Sequence, residues 1–376
     1  MFQYDLSPYI FCWILSCLFA YAASKVKSNT MKFVFSLLAI LVPSIMAGIR
    51  APTVGVDVRG YALHNYNSAR HAATYSEFVS SSHFWREWEV GWLLLTYIST
   101  KIFDSLNWNL FFYSLITCTC VYIGAWKHRK LAPLPLIMLI FFLLHYNSTY
   151  NIMRQAAACS IVFMGFDNLE KRQYWKFLIY IVAASYFHTS ALLCIVYMIG
   201  FHFAVTVGEG RFKSITNIFL YSLILSCFML EPIFKVVSTY IPPLATYSVR
   251  GISFNNKTVG IMLLGELMLF LFYPNGGRKV FRNSPGGEKM FDYYRYSVAF
   301  GIAFYWGARV FARGYFYFEY VNMLAFAVLH RFIINKYLRF IVLMITMLVY
   351  FGYFIQYFVV RNMENCGSFP YVTIFS

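Results

Sequence analysis

The sequence predicts an all-α integral membrane protein with about twelve transmembrane helices around a cavity that faces away from the cytoplasm. Three observations support this fold class. Hydrophobic residues make up 60% of the 376 residues and charged residues only 12%, which is too little polar surface for a soluble globule of this length. Apolar runs close to the ~20 residues that cross a bilayer recur along the chain. Lysines gather between alternate runs, as they do in cytoplasmic loops.

Each predicted span corresponds to one apolar run. Ten runs have a suitable length and lie at 8–23, 31–49, 109–126, 131–147, 151–170, 214–234, 259–274, 294–310, 315–334 and 338–358. The stretch 174–204 is too long for one crossing, so we divide it near His188 into two short spans, which gives twelve. The first run lacks the basic start and small-residue cleavage site of a removable signal and is kept as a span. Residues 1–376 are expected to form a single transmembrane domain.

The segment 91–106 is shorter and carries Lys101, so it is either a further crossing or a re-entrant or interfacial helix. With the N-terminus outside and this segment not crossing, 11 of the 14 lysines fall on the cytoplasmic side. A full crossing would turn the later basic clusters outward, so the charge pattern argues against it. Under this topology the polar stretches 50–90 and 238–258 are extracytoplasmic loops.

The arginines are not distributed between the two sides of the membrane as the lysines are. Nine of the 17 arginines fall on the extracytoplasmic side in the same topology. A guanidinium group near the bilayer centre costs roughly 2.5–3.5 kcal/mol, so such residues usually face a cavity and serve a ligand or a partner charge. The planar guanidinium fork binds phosphate through two hydrogen bonds, which makes an anionic ligand the natural explanation.

The first group of candidate site residues follows the second span. Arg50, Asp57, Arg59 and Tyr61 lie in a glycine-containing segment, and Glu89 comes shortly before the short apolar segment. A solvated loop with local ion pairs is the commoner explanation of such a pattern.

The second group, Asn151, Arg154 and Gln155, has i, i+3 and i+4 spacing and is expected to share one helical face. The alanines that follow would let a neighbouring helix approach closely. An arginine that only reaches the headgroups would not need the amide donors beside it, so we favour a functional role.

The third candidate is His188, at the outer edge of the divided stretch. A lone histidine in an apolar run is more often a hydrogen-bonded structural group. The ordinary pKa of histidine would nevertheless suit a general base if the ring faced the cavity.

The fourth group holds Arg309 and Arg313, one helical turn apart, followed by Tyr315. Like charges at this spacing repel each other, which makes sense if an anion lies between them. The competing explanation is a structural ion pair with Glu319, and the buried acid Glu266 would likewise need a partner or a proton.

Several function classes lose support. The basic residues, which give a net charge of +16, are scattered between apolar runs, which disfavours nucleic acid and fits membrane lipids. The sequence has no CxxC pair, HExxH, P-loop, GxGxxG or paired metal carboxylates, so we expect neither a metal nor a cofactor.

In order along the chain, the motifs GIR, VGVD, WEVGW, YNIMRQAAA, FHTSAL, RVFARGYF and PYVTIF resemble the EpsG family of Wzy-like polysaccharide polymerases. The similarity extends from about Gly48 to Phe375, with Val90 where family members often have proline. It implies polymerisation of undecaprenyl-diphosphate-linked oligosaccharide repeats at the outer face of the bacterial cytoplasmic membrane, in lipopolysaccharide or exopolysaccharide synthesis. A separate protein that regulates chain length is a further expected partner.

The chemistry of such a polymerase gives the candidate residues their expected roles. The departing diphosphate needs positive charge and the acceptor hydroxyl needs a base. We expect Arg50, Arg154, Arg309 and Arg313 to bind diphosphate and Asp57, Glu89 or His188 to act as the base, with Tyr61, Asn151, Gln155 and Tyr315 in support. Direct displacement would invert the anomeric carbon. A flippase for lipid-linked oligosaccharides and an O-antigen ligase remain the alternative functions.

Overall fold

A computed structural model describes residues 5–82, 89–206, 267–307, 312–361 and 366–375, together with 214, 217–218, 221–222, 236, 239 and 265. Most of these residues are helical, and no β-strand occurs among them. The α-helices are α1 (Ser7–Lys25), α2 (Asn29–Gly48), α3 (Leu63–His71), α4 (Tyr75–Ser81), α5 (Val90–Phe103), α6 (Leu106–Lys127), α7 (Leu134–Phe141), α8 (Met153–Glu170), α9 (Tyr174–Ser185), α10 (Cys194–Thr206), α11 (Pro274–Phe281), α12 (Met290–Gly307), α13 (Ala312–Val328) and α14 (Lys336–Phe354). Short π-helical segments follow α7 and α14, at Phe142–Tyr146 and Ile355–Val360, and another precedes α3 at Val58–Ala62.

The all-helical membrane class predicted from the sequence is confirmed for the described residues. By length and composition four of their helices can cross a membrane: Ser7–Lys25, Asn29–Gly48, Leu106–Lys127 and Lys336–Val360. Shorter apolar helices lie at Val90–Phe103, Leu134–Tyr150, Tyr174–Ser185 and Thr189–Phe203. The predicted runs 214–234 and 259–274 lie mostly outside the described residues, as does most of the loop 238–258. The total of twelve spans and the single domain stay predictions.

The described helices group into two compact units, the first formed by residues 1–166, 177–192 and 350–376. In this unit α1 and α2 form a hairpin with small residues at its interface. The Ser16 hydroxyl donates to the carbonyl oxygen of Ala39 over 2.6 Å, and Ala20 and Ala39 are fully buried. Ser28 caps α2 by accepting from the backbone N–H of Met31.

Helix α6 packs antiparallel to α2, since the Tyr122 hydroxyl near the end of α6 donates to the Ser36 hydroxyl in the first half of α2 over 2.7 Å. Gly48, at the end of α2, lies beside Phe111 near the start of α6, where a Cβ atom on the glycine would come within 2.8 Å of the phenylalanine Cβ. Because α1 and α2 are also antiparallel, α1 and α6 run in the same direction. Lys25 and Lys127, in the last turns of α1 and α6, therefore lie at the end of the unit opposite Gly48.

The polar stretch 50–90, expected to be a loop, contains helical segments that the sequence analysis did not identify. Helix α4 begins with a variant of the capping box: Thr74 accepts from the backbone N–H of Glu77, and the Glu77 carboxylate accepts from the backbone N–H of Ala73, the residue before the N-cap, over 2.7 Å. Helix α3 packs against α5. The stretch therefore forms a folded cap on the helices of the first unit.

Helix α5 pairs with only the first half of α6. The rings of Trp92 and Tyr113 stack with centroids 3.5 Å apart, and the Ser99 hydroxyl contacts the Asn109 amide at the other end. The start of α5 therefore lies level with Tyr113, about 10 Å along α6 from its first residue. Helix α5 runs from this depth towards the start of α6.

The second unit comprises residues 167–176 and 193–349. Its α12 and α13 pack together through a buried polar contact, in which the Ser297 hydroxyl donates to the Asn322 side chain over 2.6 Å. Tyr197 on α10 reaches the same Ser297 hydroxyl at 3.1 Å. Asn322 is fully buried, and its amide also donates to the Ser297 carbonyl oxygen. These bonds satisfy polar groups that would otherwise be costly to bury.

Candidate active site

The carboxylate of Glu89 is the centre of a buried cluster in the first unit. One carboxylate oxygen accepts from a terminal guanidinium nitrogen of Arg154, and the other lies 2.6 Å from Nδ1 of His188. Glu89 is 2% exposed, His188 5% and Arg154 8%. Three segments far apart in the sequence thus bring an acid, a base and a cation together away from water.

The start of α5 positions this carboxylate. Glu89 directly precedes the helix, and the backbone N–H of Gly91 donates to the Tyr186 carbonyl oxygen over 3.0 Å. Tyr186 lies in the turn after α9 that also carries His188. The stacking of Trp92 on α6 fixes the other side of the helix start. The same contacts that orient α5 therefore hold Glu89 against His188.

A second group of contacts joins Arg154 to Asp57. The guanidinium of Arg154 lies over the ring of Tyr61, 4.6 Å from its centroid. The Tyr61 hydroxyl donates to the Asp57 carboxylate over 2.5 Å, and the backbone N–H of Met153 donates to the same oxygen over 3.3 Å. Asp57 therefore caps the start of α8. Burial and the nearby Asp57 charge raise the pKa of Tyr61 well above its ordinary value, so the phenol keeps its proton and remains a donor.

Arg50 lies on the other side of Met153 and is 1% exposed. Its guanidinium is 4.1 Å from the ring centroid of Tyr150 and contacts the Met153 sulfur at 3.4 Å. Among the residues that the structure describes, no carboxylate pairs with it. A cavity of about 10 Å³ beside it, lined also by Thr149 and by the α6 residue Ser114, has room for about one water molecule.

Comparison with protein-family models gives the family of the chain. A model described as the EpsG family matches residues 33–373, nearly the whole chain. The chain belongs to the EpsG family. This family consists of Wzy-like polymerases, so the resemblance seen in the sequence motifs is confirmed. No curated protein and no solved structure matches the chain.

The EpsG-family motifs supply most of the cluster, but one predicted detail is wrong. Helix α8 begins at Met153, so Asn151 lies in the preceding turn and does not share a helical face with Arg154 and Gln155. The chain forms a 3-10 turn at Asn147–Tyr150 before α8 starts, and the i, i+3, i+4 rule applies only within one continuous helix. Gln155 is buried and Asn151 is half-buried.

The candidates on the later motif belong to the second unit or lie outside the described residues. Arg313 and Tyr315 are on α13, where their backbone positions alone are described. Arg309 and Glu266 are outside the described residues. The structure therefore brings Arg50, Asp57, Tyr61, Glu89, Arg154, Gln155 and His188 into the first unit.

Some site residues of this EpsG-family chain were missed in the sequence. Tyr150 and Met153 contact the Arg50 guanidinium, and Trp92 and Tyr113 brace the start of α5. Tyr150 and Met153 flank the asparagine and arginine of the motif, which is a signal that could have identified them. Within the described part of the chain no three histidine, cysteine, aspartate or glutamate side chains group as metal ligands do.

Proposed function

We propose that this protein polymerises undecaprenyl-diphosphate-linked oligosaccharide repeats into a bacterial surface polysaccharide at the outer face of the cytoplasmic membrane. Membership of the EpsG family supports a polysaccharide polymerase. The observation on which the site assignment depends is that Glu89 contacts both Arg154 and His188 in one buried cluster. Such a cluster offers a base and a cation, which glycosyl transfer from a lipid diphosphate requires.

The proposed reaction is a single displacement. The acceptor hydroxyl oxygen attacks the anomeric carbon of the donor sugar and forms the new glycosidic bond as the bond to the diphosphate oxygen breaks. The lipid diphosphate leaves with that electron pair, and the hydroxyl proton passes to the base and then to water. Attack from the face opposite the leaving group inverts the anomeric configuration. No metal or cofactor takes part in these steps.

His188 is the base we favour among the three candidates. With Nδ1 donating to Glu89, the Nε2 lone pair is available to accept a proton, and no described residue hydrogen-bonds to Nε2. Asp57 already accepts from Tyr61 and from the Met153 backbone, and Glu89 accepts from Arg154 and His188. We therefore assign Glu89 the task of orienting His188 and stabilising the imidazolium that forms, as carboxylates do in catalytic triads.

Arg154 is the cation we place on the donor diphosphate. It is paired with Glu89 and closed off from solvent, so a phosphate oxygen has to take the place of that carboxylate oxygen. A bidentate phosphate contact would then replace one charge-assisted hydrogen bond by two. Arg50 adds a neighbouring positive charge without a described carboxylate. The parts assigned to Arg309 and Arg313 depend on the sequence motif alone.

The proposed orientation follows from the lysines. Lys25 and Lys127 lie at the end of the first unit opposite Gly48, and Arg50 comes two residues after Gly48. If the lysine-rich end is cytoplasmic, the site is on the outer side. Helix α5 pairs with only the first half of α6, which supports an arrangement in which it does not cross the membrane. Donor and acceptor would then reach the site from the outer leaflet.

The first test of the function is a glycolipid gel of a strain that lacks the protein. A polymerase defect leaves a single repeat unit on the lipid core, and re-expression of the protein restores the ladder of long chains. Bare core would instead indicate loss of ligation or of flipping and would contradict the proposal.

The second test addresses the base. His188→Asn keeps an amide donor near Glu89 but removes Nε2, so the rate of chain extension should fall about 10²–10⁴-fold. His64→Asn is the matched control, because His64 is an exposed histidine of the same unit. An unchanged ladder in the His188 variant, at equal protein level in the membrane, would remove His188 from the mechanism.

A further inference from the structure

The C-terminal segment Cys366–Ile374, which we name the C-terminal strap, lies antiparallel to the segment that follows α2. Four backbone hydrogen bonds join them over 2.8–3.1 Å. Arg50 and Thr373 form an isolated antiparallel β-bridge at one end of this pairing. The bonds run from the N–H of Ala51 to Val372, from Ile374 to Ile49, from Gly55 to Gly367 and from Val56 to Cys366. This backbone pairing, interrupted by a turn after Ala51, joins segments more than 300 residues apart in the sequence.

The pattern places Arg50 directly opposite Thr373. The two bonds that flank this pair run from Ala51 to Val372 and from Ile374 to Ile49, which defines a non-hydrogen-bonded pair. In such a pair the two Cα atoms are about 4.5 Å apart and both side chains point to the same side of the bridge. A shift of the strap by one residue would move its side chains to the opposite side of the bridge. The strap therefore determines the direction in which the Arg50 side chain leaves the backbone.

Hydrogen bonds to three other elements hold the strap itself. The hydroxyl of Tyr9 on α1 donates to the Ser368 carbonyl oxygen over 2.6 Å, and the Asn147 amide donates to the Ser368 hydroxyl over 3.0 Å. The Tyr371 hydroxyl donates to the carbonyl oxygen of Met46 on α2 over 2.6 Å. Tyr9, Asn147 and Ser368 are fully buried. These are strong anchors, because a buried polar group that loses its partner is costly.

The segment that the strap holds has little regular structure of its own. It lies between the end of α2 at Gly48 and the π-helical segment that begins at Val58, and it carries Arg50 and leads to Asp57. Gly55 within it has φ +101°, and its N–H is bonded to the strap. Arg50 and Asp57, which contact Met153 at the start of α8, are therefore held in position by the pairing with the strap.

We propose that the C-terminal strap is a positioning element of the active site, which sets the Arg50 guanidinium and the Asp57 carboxylate against the start of α8. This proposal rests on the proposed function for its kinetic consequence, but the pairing itself can be tested without activity. The strap residues touch no substrate in this scheme and act through Arg50 and Asp57.

The decisive variant is Ile374→Pro, which removes the N–H that bonds to Ile49 and leaves the strap carbonyl groups intact. Phe375→Pro is the matched control one residue further on. Phe375 is 80% exposed, and its N–H bonds only to the Thr373 side chain within the same turn. Tyr371→Phe removes the anchor to Met46 while keeping the ring, so it tests the same idea without proline.

The first measurement is the mobility of a nitroxide attached at Thr53→Cys, an exposed position in the held segment. We expect narrower spectral lines with Ile374→Pro and an unchanged spectrum with Phe375→Pro. The second is the kinetics of chain extension against the concentration of lipid-diphosphate-linked repeat. Here Ile374→Pro should raise the half-saturating concentration about tenfold at an unchanged protein level, with a smaller rise for Tyr371→Phe.

The outcomes separate the two proposals. Narrower spectral lines with unchanged kinetics would overturn the positioning role. A lower maximal rate and a lower protein level with an unchanged half-saturating concentration would also overturn it, because that combination indicates general destabilisation. Unchanged lines and unchanged kinetics in Ile374→Pro would also overturn it. If the parent protein extends no chains at all, the proposed function fails. Unchanged nitroxide spectral lines in Ile374→Pro would contradict the positioning role of the strap whether or not the protein extends chains.

Discussion

The strongest quantitative expectation concerns the buried pair of Glu89 and Arg154. Glu89→Ala would leave the guanidinium buried without its carboxylate, and Arg154→Ala would leave the carboxylate without its guanidinium. Each single change should lower the free energy of unfolding by about 3–5 kcal/mol, the cost of stranding one charge of a buried pair. The two side chains are only 2% and 10% exposed, so solvent screens this interaction little.

The double variant separates charge stranding from lost packing. Once both groups are removed, no uncompensated charge remains, so the double variant should lose about 2 kcal/mol less than the sum of the single losses. The measurement is a denaturant titration of the purified protein in detergent for the parent, both single variants and the double variant.

An exposed ion pair of the same unit provides the control cycle. Arg70 and Asp104 are 2.8 Å apart, but their side chains are 53% and 57% exposed. Their coupling should be below about 0.5 kcal/mol. If the Glu89 and Arg154 losses add within that same margin, the two groups do not form the buried pair on which the mechanism depends.

Two further changes test how the site is supported. Gly55→Ala should lower the free energy of unfolding by about 1–3 kcal/mol, because Gly55 has φ +101° and a Cβ atom would come within 2.6 Å of a backbone oxygen. In the control Gly60→Ala the new Cβ atom has no atom within 4 Å, so the free energy of unfolding should change little, and equal losses in the two variants would contradict this reasoning. Trp92→Ala should cost about 3–5 kcal/mol in the same titration, since the ring is fully buried against Tyr113, whereas Trp108→Ala, 42% exposed, should cost clearly less.

The helices of the first unit could be predicted well because an apolar run is a local property of the sequence. The runs 8–23 and 31–49 agree with α1 and α2 to within two residues at each end, and the run 109–126 begins three residues into α6. The division near His188 is also found, between α9 and the 3-10 turn that begins at Thr189. In each case length and flanking polar residues were sufficient.

The structure of the polar stretch was harder to predict because hydrophobic periodicity is weak there. Helix α4 has a local signal nevertheless, since threonine at position 74 and glutamate at position 77 form the capping box of its first turn. The pairing of the C-terminal strap with the Arg50 segment has no comparable signal. It depends on backbone groups brought together by the packing of α1, α2 and the turn after α7, which no local pattern encodes.

Arg154 is paired with Glu89, which also contacts His188, so the guanidinium group that we propose for diphosphate binding is not an unpaired cation. A donor diphosphate that takes the guanidinium would release one carboxylate oxygen and leave Glu89 bonded to His188 alone. The Glu89 carboxylate would then be left to stabilise the imidazolium that forms when His188 takes the acceptor proton. In this scheme the binding of the donor itself prepares the base, which couples activation of the acceptor to the presence of the leaving group.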